Sequence, residues 1–314
     1  MTLDPQAARV LEAAEQSGLP ALETLPPAEA RRQYEKGAAI VGGQPPAVFS
    51  VRDIEAPGPL GAIPLRVYVP RDPGDEALPL LIYIHGGGYV IGSRDSHDVP
   101  CRYLALGGDC IVVSVDYRMA PEHPYPQPVD DCWVAVNWIA ENAVSLGARA
   151  DRIAIGGDSA GGNLATVMCL KARGAGGPAF VYQLLIYPGT DKSRSHASHA
   201  ELAEGYRLTR SLLDWFMAHY FSGEPADPDD PYASPLQAKD LSGLPPALVV
   251  SAGYDPLRDE DIAYHEKLLA HGTESEHLHY PGMIHGFINM PGVLDVAREC
   301  LDECGHRLRR VFAE

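Results

Sequence analysis

The 314-residue sequence lacks a long apolar run and lacks an obvious targeting segment. No stretch approaches the roughly 18 apolar residues that span a bilayer, so a membrane-spanning helix and a membrane anchor are not expected. The first residues, 1–18, are acidic in part and contain no apolar block, which argues against a secretory signal. A cytoplasmic location is therefore expected.

Positive charge is also scarce. With 25 Lys and Arg against 42 Asp and Glu, the formal net charge is −17. Such a chain repels phosphate backbones and anionic membrane surfaces, so nucleic acid is not expected as a partner. A neutral small molecule is compatible with this charge, whereas a polyanion is not.

Paired cysteine motifs are missing as well. None of the six cysteines forms a C-x-x-C pair or a Cys/His set with zinc-finger spacing, so we expect a reducing compartment and no metal. Cys300 and Cys304, one helical turn apart, are expected to be small core side chains. His196 and His199 also have metal-like spacing, but the polar, serine-rich sequence around them predicts a solvated loop.

What the chain does contain is an alternation of short apolar segments and helical patterns. Alternating residues in 49–70 predict an antiparallel hairpin. Six apolar segments then predict strands of a parallel sheet covered on both faces: 80–84, 110–115, 152–155, 181–187, 247–251 and 276–280. Helical patterns occupy 132–145, 160–173, 262–271 and 293–312. This alternation predicts an α/β fold with right-handed connections.

The segment 188–231 interrupts the alternation, because it carries no strand signal. An insertion of this length after a core strand is a lid or a linker, and its aromatic content favours a lid. Its helical stretch, 211–221, holds Leu212, Trp215, Phe216, Tyr220 and Phe221. These side chains could form a substrate wall, or they could pack between cap helices.

Residues 157–162, GDSAGG, contain G-x-S-x-G with Ser159 at its centre. A predicted strand precedes the motif and a predicted helix follows it, which is the setting of a nucleophile elbow. The glycines allow a tight turn that projects the serine hydroxyl above the sheet. The other interpretation of so short a motif is an ordinary glycine-rich turn.

Residues 85–88, HGGG, directly follow the predicted strand 80–84. Glycines expose backbone N–H groups with no side chain in the way, so this loop and the N–H of Ala160 can bind the oxyanion of a tetrahedral intermediate. The alternative is a flexible turn.

The acid and the base of a serine hydrolase should follow the nucleophile in the order Asp, then His. Asp255 and His285 meet this order, each just beyond the end of a predicted strand, where sites collect in open α/β sheets. The competing residues are Asp259 and Asp261, at the start of a predicted helix, and His277 and His279, inside a predicted strand.

Together these motifs resemble the bacterial hormone-sensitive-lipase-like esterases. The resemblance rests on HGGG at 85–88, YRMAPEHPYP at 117–126, GDSAGG at 157–162 and DPLRD at 255–259, with Met119 where leucine is commoner. It extends over nearly the whole chain from about Ala47 onward. It implies an α/β-hydrolase fold, with an eight-stranded, mostly parallel sheet flanked by helices. The helical cap would comprise 1–46 and 189–230, and the catalytic core 47–188 and 231–314.

The resemblance also implies a serine carboxylesterase that hydrolyses short- to medium-chain acyl esters through an acyl-enzyme, without metal or cofactor. The implied triad is Ser159, Asp255 and His285, and the implied oxyanion donors are Gly87, Gly88 and Ala160. Related acyl hydrolases, namely a lactonase, an arylformamidase or a deacetylase, would share this site, and a non-catalytic ligand-binding protein is a further alternative. The resemblance permits a homodimer through an edge strand.

Overall fold

Short segments rich in Val, Ile and Leu form a single sheet in the computed structural model of the chain, which describes residues 2–223, 227 and 229–314. Residues of these types favour the pleated, buried surface of a sheet. Within the described residues the strands are β1 (Ser50–Ala56), β2 (Ile63–Val69), β3 (Leu78–Ile84), β4 (Ile111–Val115), β5 (Ala148–Asp158), β6 (Phe180–Ile186), β7 (Ala247–Tyr254) and β8 (Ser275–Ile284).

The sheet has eight strands in the order β1-β2-β4-β3-β5-β6-β7-β8. The pairs β1–β2 and β2–β4 are antiparallel, and all the other pairs are parallel. The predicted α/β-hydrolase fold with a mostly parallel sheet is therefore confirmed. Because parallel strands end at the same edge of a sheet, the segments after β5, β7 and β8 meet there.

Helices pack on both faces of the sheet. In the described ranges they are α1 (Pro5–Gln16), α2 (Pro27–Gly42), α3 (Asp98–Gly108), α4 (Gln127–Glu141), α5 (Ala160–Ala175), α6 (Ala197–Glu201), α7 (Arg210–Tyr220), α8 (Arg258–Ala270) and α9 (Asp295–Ala313). Along the same residues, none of these helices has the length and apolar character needed to cross a membrane.

The core has two layers, one on each face of the sheet. Leu80 of β3 belongs to the layer shared with α4, α5 and α8, whereas its neighbour Leu81 belongs to the layer shared with α3 and α9. Successive strand residues point to opposite faces, so both layers need apolar side chains. Cys300 and Cys304 are fully buried in the second layer, which confirms that they are core residues.

Helix α3 is an element that the sequence patterns did not indicate. Pro100 lies in its first turn and Gly107 and Gly108 lie at its end, and proline and glycine are the poorest helix formers. Burial of Cys101 and Leu104 against the sheet and α9 supplies the missing stabilisation. Tertiary packing therefore outweighs local propensity here.

The two segments predicted to form a cap contact each other and the core. The hydroxyl of Ser211 in α7 donates to Oε1 of Glu23 at 2.7 Å, which joins the later segment to the N-terminal one. Arg31 of α2 donates from Nε to the carbonyl of Val90 at 2.8 Å, just beyond the HGGG loop. The division into cap and core stays a prediction, and 224–226 and 228 lie outside the described residues.

Candidate active site

Ser159 lies in a tight turn between β5 and α5. Its backbone angles, φ 54° and ψ −120°, are unfavourable for a residue with a side chain, and its N–H donates to Ile186 O of the neighbouring strand at 2.9 Å. A Cβ on Gly161 would lie 2.0 Å from the carbonyl oxygen of Ile84, so this position requires glycine. The turn is thus the strained strand–turn–helix geometry of a nucleophile elbow.

His285 and Asp255 lie next to Ser159. Nε2 of His285 is 2.9 Å from Oγ of Ser159, and Nδ1 of the same ring is 2.6 Å from Oδ2 of Asp255. Asp255 is fully buried, and its other oxygen accepts the N–H of Leu257 at 2.9 Å. The three side chains, from the ends of β5, β7 and β8, therefore form a continuous hydrogen-bonded chain.

The two competing aspartates occupy other positions in α8. Asp259 pairs with Arg258 at 2.7 Å and accepts the N–H of Ser198 at 2.9 Å. Asp261 is fully buried, and among the described residues neither of its oxygens has a hydrogen-bond partner. Burial, reinforced by the charge of Asp255, raises the pKa of Asp261 well above its usual value. The environment of Asp261 thus disfavours the negative charge that would stabilise an imidazolium.

The two competing histidines lie along β8, away from the elbow. Nε2 of His277 and Nδ1 of His279 both contact Oγ of Ser251, at 2.7 and 2.9 Å. The structure thus brings His285, and neither of these residues, to Ser159.

The HGGG loop follows β3 and lies beside the elbow. Gly87 and Gly88 have φ values of 118° and 59°, and the carbonyl of Gly87 accepts the N–H groups of Val90 and Ile91 at 3.1 and 2.9 Å. A Cβ on Gly88 would lie 2.2 Å from the ring of Phe216, so only glycine fits beneath this ring. The loop is therefore a tight, hydrogen-bonded turn.

Asp158, the residue before Ser159, is the centre of a buried polar network. Its Oδ1 accepts the hydroxyl of Tyr83 at 2.8 Å and the N–H of Gly86 at 3.1 Å. His97 Nε2 lies 3.2 Å from Oδ1, and Asn289 Nδ2 donates to Oδ2 at 3.2 Å. The network joins the elbow to the HGGG loop and to the segment after His285.

The electrostatics of this network keep Asp158 ionised. Burial alone would raise the pKa of Asp158, but the charge of His97 and the hydrogen bonds from His97, Tyr83 and Gly86 outweigh burial and lower it to about 2. In the sequence, Asp158 stands out only as a member of the GDSAGG motif at 157–162. No sequence signal pointed to His97 or Asn289, since they come together only through the tertiary fold.

Aromatic residues of the insertion pack on the HGGG loop and in the core, and the role of a substrate wall stays a prediction. Phe216 of α7 lies over Gly88, so it contacts the loop that borders the nucleophile. Tyr220 is fully buried and stacks on Tyr89 with ring centroids 3.7 Å apart, which is core packing. From the core itself, Tyr187 places its ring 4.7 Å from that of His285.

The expectation of a solvated loop around His196 and His199 is wrong for His199, whereas His196 lies in a partly exposed loop. Ser198 and His199 are buried in the short helix α6, because Nε2 of His199 contacts Oε2 of Glu260 at 2.8 Å and Ser198 Oγ donates to Pro256 O at 2.6 Å. In the part of the chain that the structure describes, no group of three or more His, Cys, Asp or Glu side chains could hold a metal ion.

A family model described as the alpha/beta hydrolase fold matches residues 81–289. The chain is 42% identical over 294 residues to the carboxylic ester hydrolase LipN of Mycobacterium tuberculosis, with 92% of this chain and 78% of the relative covered. It is 37% identical over 311 residues to the ethyl acetate hydrolase of Pseudomonas putida, with 96% of each covered.

Solved structures give the same result. An ester hydrolase from the metagenome of Lake Arreo, complexed with a bipyridine phosphonate derivative, is 44% identical with a TM-score of 0.96, and 100% of each chain is covered. The hyperthermophilic esterase of Pyrobaculum calidifontis is 41% identical with a TM-score of 0.91, and 99% of each chain is covered. The chain therefore belongs to the hormone-sensitive-lipase-like esterases of the α/β-hydrolase fold and is a carboxylic ester hydrolase.

Proposed function

We propose that this ester hydrolase uses Ser159 as nucleophile, His285 as general base and Asp255 as the carboxylate that orients the base. The observation that carries the proposal is the hydrogen-bonded chain from Ser159 Oγ through His285 to Asp255, with distances of 2.9 and 2.6 Å. With Nδ1 protonated, the imidazole donates to Asp255, and its Nε2 can accept the serine proton.

The reaction runs in two steps. Ser159 Oγ attacks the ester carbonyl while its proton passes to Nε2 of His285, and the resulting imidazolium returns the proton to the departing alcohol. Water then attacks the acyl-enzyme with His285 again as base, and the carboxylic acid leaves. Buried Asp255 holds the imidazole in the required tautomer and stabilises its positive form.

The proposed oxyanion donors are the N–H groups of Gly87, Gly88 and Ala160. Within the described residues none of these three N–H groups donates to another protein group, so each is available to donate a hydrogen bond to a ligand. Ala160 is the first residue of α5, where the helix dipole favours negative charge. Removing one such donor typically lowers turnover about a hundred- to a thousand-fold.

Phe216 and the buried Tyr220 support a preference for short to medium acyl chains. Phe216 lies directly over Gly88, and the stacked pair of Tyr89 and Tyr220 fills the space behind the HGGG loop. These rings restrict the room beside the proposed oxyanion donors, whereas a long acyl chain needs an open channel.

The test is hydrolysis of p-nitrophenyl esters from acetyl to palmitoyl by the native protein, by Ser159→Ala and by Ser145→Ala. We expect turnover to peak at short or medium chains and Ser159→Ala to lose on the order of a million-fold in kcat. Ser145 is an exposed serine whose hydroxyl donates to Asn142 O at 2.8 Å, so Ser145→Ala should match the native protein. Retention of most activity in Ser159→Ala would exclude the proposed nucleophile.

The proposed partner is a small-molecule ester, and the proposed location is the cytoplasm. All six cysteines are free and buried, which fits a reducing compartment. A homodimer through an edge strand stays a prediction.

A further inference from the structure

Arg207 lies beside the catalytic histidine and belongs to the insertion between β6 and β7. Its Nη1 is 3.9 Å from the sulfur of Met290, and its Nε is 3.7 Å from the position that a Cβ on Gly286 would occupy. The guanidinium therefore extends along 286–290, the segment that directly follows His285. Arg207 is exposed whereas His285 is buried, so Arg207 stands on the solvent side of the site.

The charge of Arg207 is not neutralised locally. Most arginines of this acidic chain form ion pairs with Asp or Glu, as Arg194 does with Asp214 at 2.6 Å. In the described residues, Arg207 forms no ion pair, and its polar contact there is with the sulfur of Met290, a weak acceptor. Its backbone φ is 71°, an unfavourable value for a side-chain-bearing residue, so the chain holds Arg207 in place at a cost.

The charge of Arg207 also reaches Tyr34 in α2. Burial raises the pKa of Tyr34 in α2 to about 12, while the charge of Arg207 lowers it and the charge of Asp158 raises it. Tyr34 is thus within electrostatic reach of both Arg207 and Asp158, the residue next to the nucleophile.

The position relative to His285 indicates which half of the ester would meet Arg207. His285 returns its proton to the departing alcohol, so the alcohol half lies on the histidine side of the reacting carbonyl. Arg207 borders the segment that carries His285, and a guanidinium presents paired N–H donors that match a carboxylate.

Building on the proposed function, we infer that Arg207 selects esters whose alcohol half ends in a carboxylate, that is, O-acyl derivatives of short hydroxycarboxylic acids. In the reaction, water cleaves the bond between the acyl carbon and the alcohol oxygen, which releases the carboxylic acid and the hydroxy acid. A single carboxylate can pair locally with Arg207 despite the overall charge of −17, whereas a polyanion remains excluded.

The experiment compares acetoxyacetate, acetoxypropanoate and acetoxybutanoate, each with its neutral carboxamide analogue. For each pair, the ratio of kcat/KM for the carboxylate to kcat/KM for the amide is measured in the native protein, Arg207→Gln and Arg210→Gln. Arg210 is an exposed arginine three positions away on α7, so its variant changes the net charge equally. Arg207→Lys tests whether the paired donors matter beyond the charge.

We expect the ratio to exceed one for at least one chain length, to fall about tenfold in Arg207→Gln and to stay at the native value in Arg210→Gln. High salt should reduce the native ratio, and Arg207→Lys should give an intermediate value. An equal ratio in native protein and Arg207→Gln would overturn the inference. The inference would also be overturned if the enzyme preferred a carboxylate only on the acyl half of the ester. This preference is measured as the ratio of kcat/KM for monomethyl succinate to kcat/KM for methyl succinamate.

Turnover of the neutral amides and circular dichroism report whether each variant is folded, and Arg207→Lys provides a second test if Arg207→Gln is not. Failure of the proposed function gives a different result, because hydrolysis of the neutral esters would then persist in Ser159→Ala.

Discussion

Asp158 connects two parts of the site that the chain places far apart. The same carboxylate accepts the N–H of Gly86, at the start of the HGGG loop, and directly precedes Ser159. A change in its charge should therefore move the proposed oxyanion donors relative to the nucleophile. Asp158 would act as a positioning residue, since it reaches the substrate only through its neighbours.

Asp158→Asn should lower kcat about ten- to a hundred-fold with a smaller change in KM, because misplacement of oxyanion donors weakens transition-state binding more than ground-state binding. Steady-state kinetics on a p-nitrophenyl ester would measure the split. Asp214→Asn, which removes a surface carboxylate paired with Arg194, is the matched control. A variant with lower thermal stability but native kcat would show that Asp158 has a structural role only.

At the scale of single residues, the sequence located the proposed triad better than the residues that support it. Ser159, Asp255 and His285 follow strand ends in a fixed order, so local pattern and chain order suffice to select them. His97 and Asn289 are 61 and 131 residues from Asp158, and only the fold brings them to it. Arg207 likewise carries no motif, because its role depends on where the insertion folds.

Strand β8 and helix α8 form a cluster of three histidines. The rings of His265 and His277 are stacked with centroids 5.3 Å apart, and the rings of His277 and His279 are 6.0 Å apart. Burial, helped by the charges of His265 and His279, lowers the pKa of His277 to about 4. Burial also lowers the pKa of His265, although the charge of Glu266 raises it. Burial and the charge of Arg258 both lower the pKa of His279. The folded cluster is therefore neutral at pH 7.

This histidine cluster should lower the thermal stability of the protein in mild acid. The unfolded chain binds a proton at His277 near its ordinary pKa of 6.5, whereas the folded chain does so only near 4, so protons favour unfolding in between. We expect Tm to be highest above about pH 6.5 and to fall towards pH 4, with a smaller slope in His277→Gln. Differential scanning calorimetry measures this slope. His306→Gln, at an exposed histidine of α9, is the control, and identical slopes in all three proteins would contradict the prediction.

Elements with strong local patterns were predictable, and those stabilised by packing were not. The strands around the sheet centre carry continuous apolar segments. The six predicted strands and the two strands of the predicted hairpin are all present in the sheet. Helix α3 was missed because Pro100 and two terminal glycines hide it, and α6 was taken for a loop because its serines and histidines appear solvated. In both cases burial against the core overrides the local composition.

The whole molecule buries all six of its thiols. Cys101 and Cys110 lie on the α3 side of the sheet and Cys132 and Cys169 on the other, and burial raises the pKa of all four. A thiol that is both buried and protonated reacts slowly, because the thiolate is the nucleophile.

A thiol-specific chromogenic reagent should therefore label almost none of the cysteines in the native protein and all six in urea. Activity should also be independent of added reductant. Cys169→Ala, which empties one core position, should expose further thiols by destabilising the fold. Rapid labelling of native protein without loss of activity would show that at least one thiol is accessible.

The strand order has a consequence for how this enzyme fails. β8 is the last strand of the sheet, and His285 is the residue that directly follows it. An edge strand is bound on one side only, so its fraying costs less than breakage of the centre. With His285 as the proposed base, fraying of β8 would separate it from Ser159 and stop catalysis while most of the molecule keeps its fold. Loss of activity and global unfolding would then be two separate events. A heated sample would contain largely folded molecules that no longer hydrolyse esters.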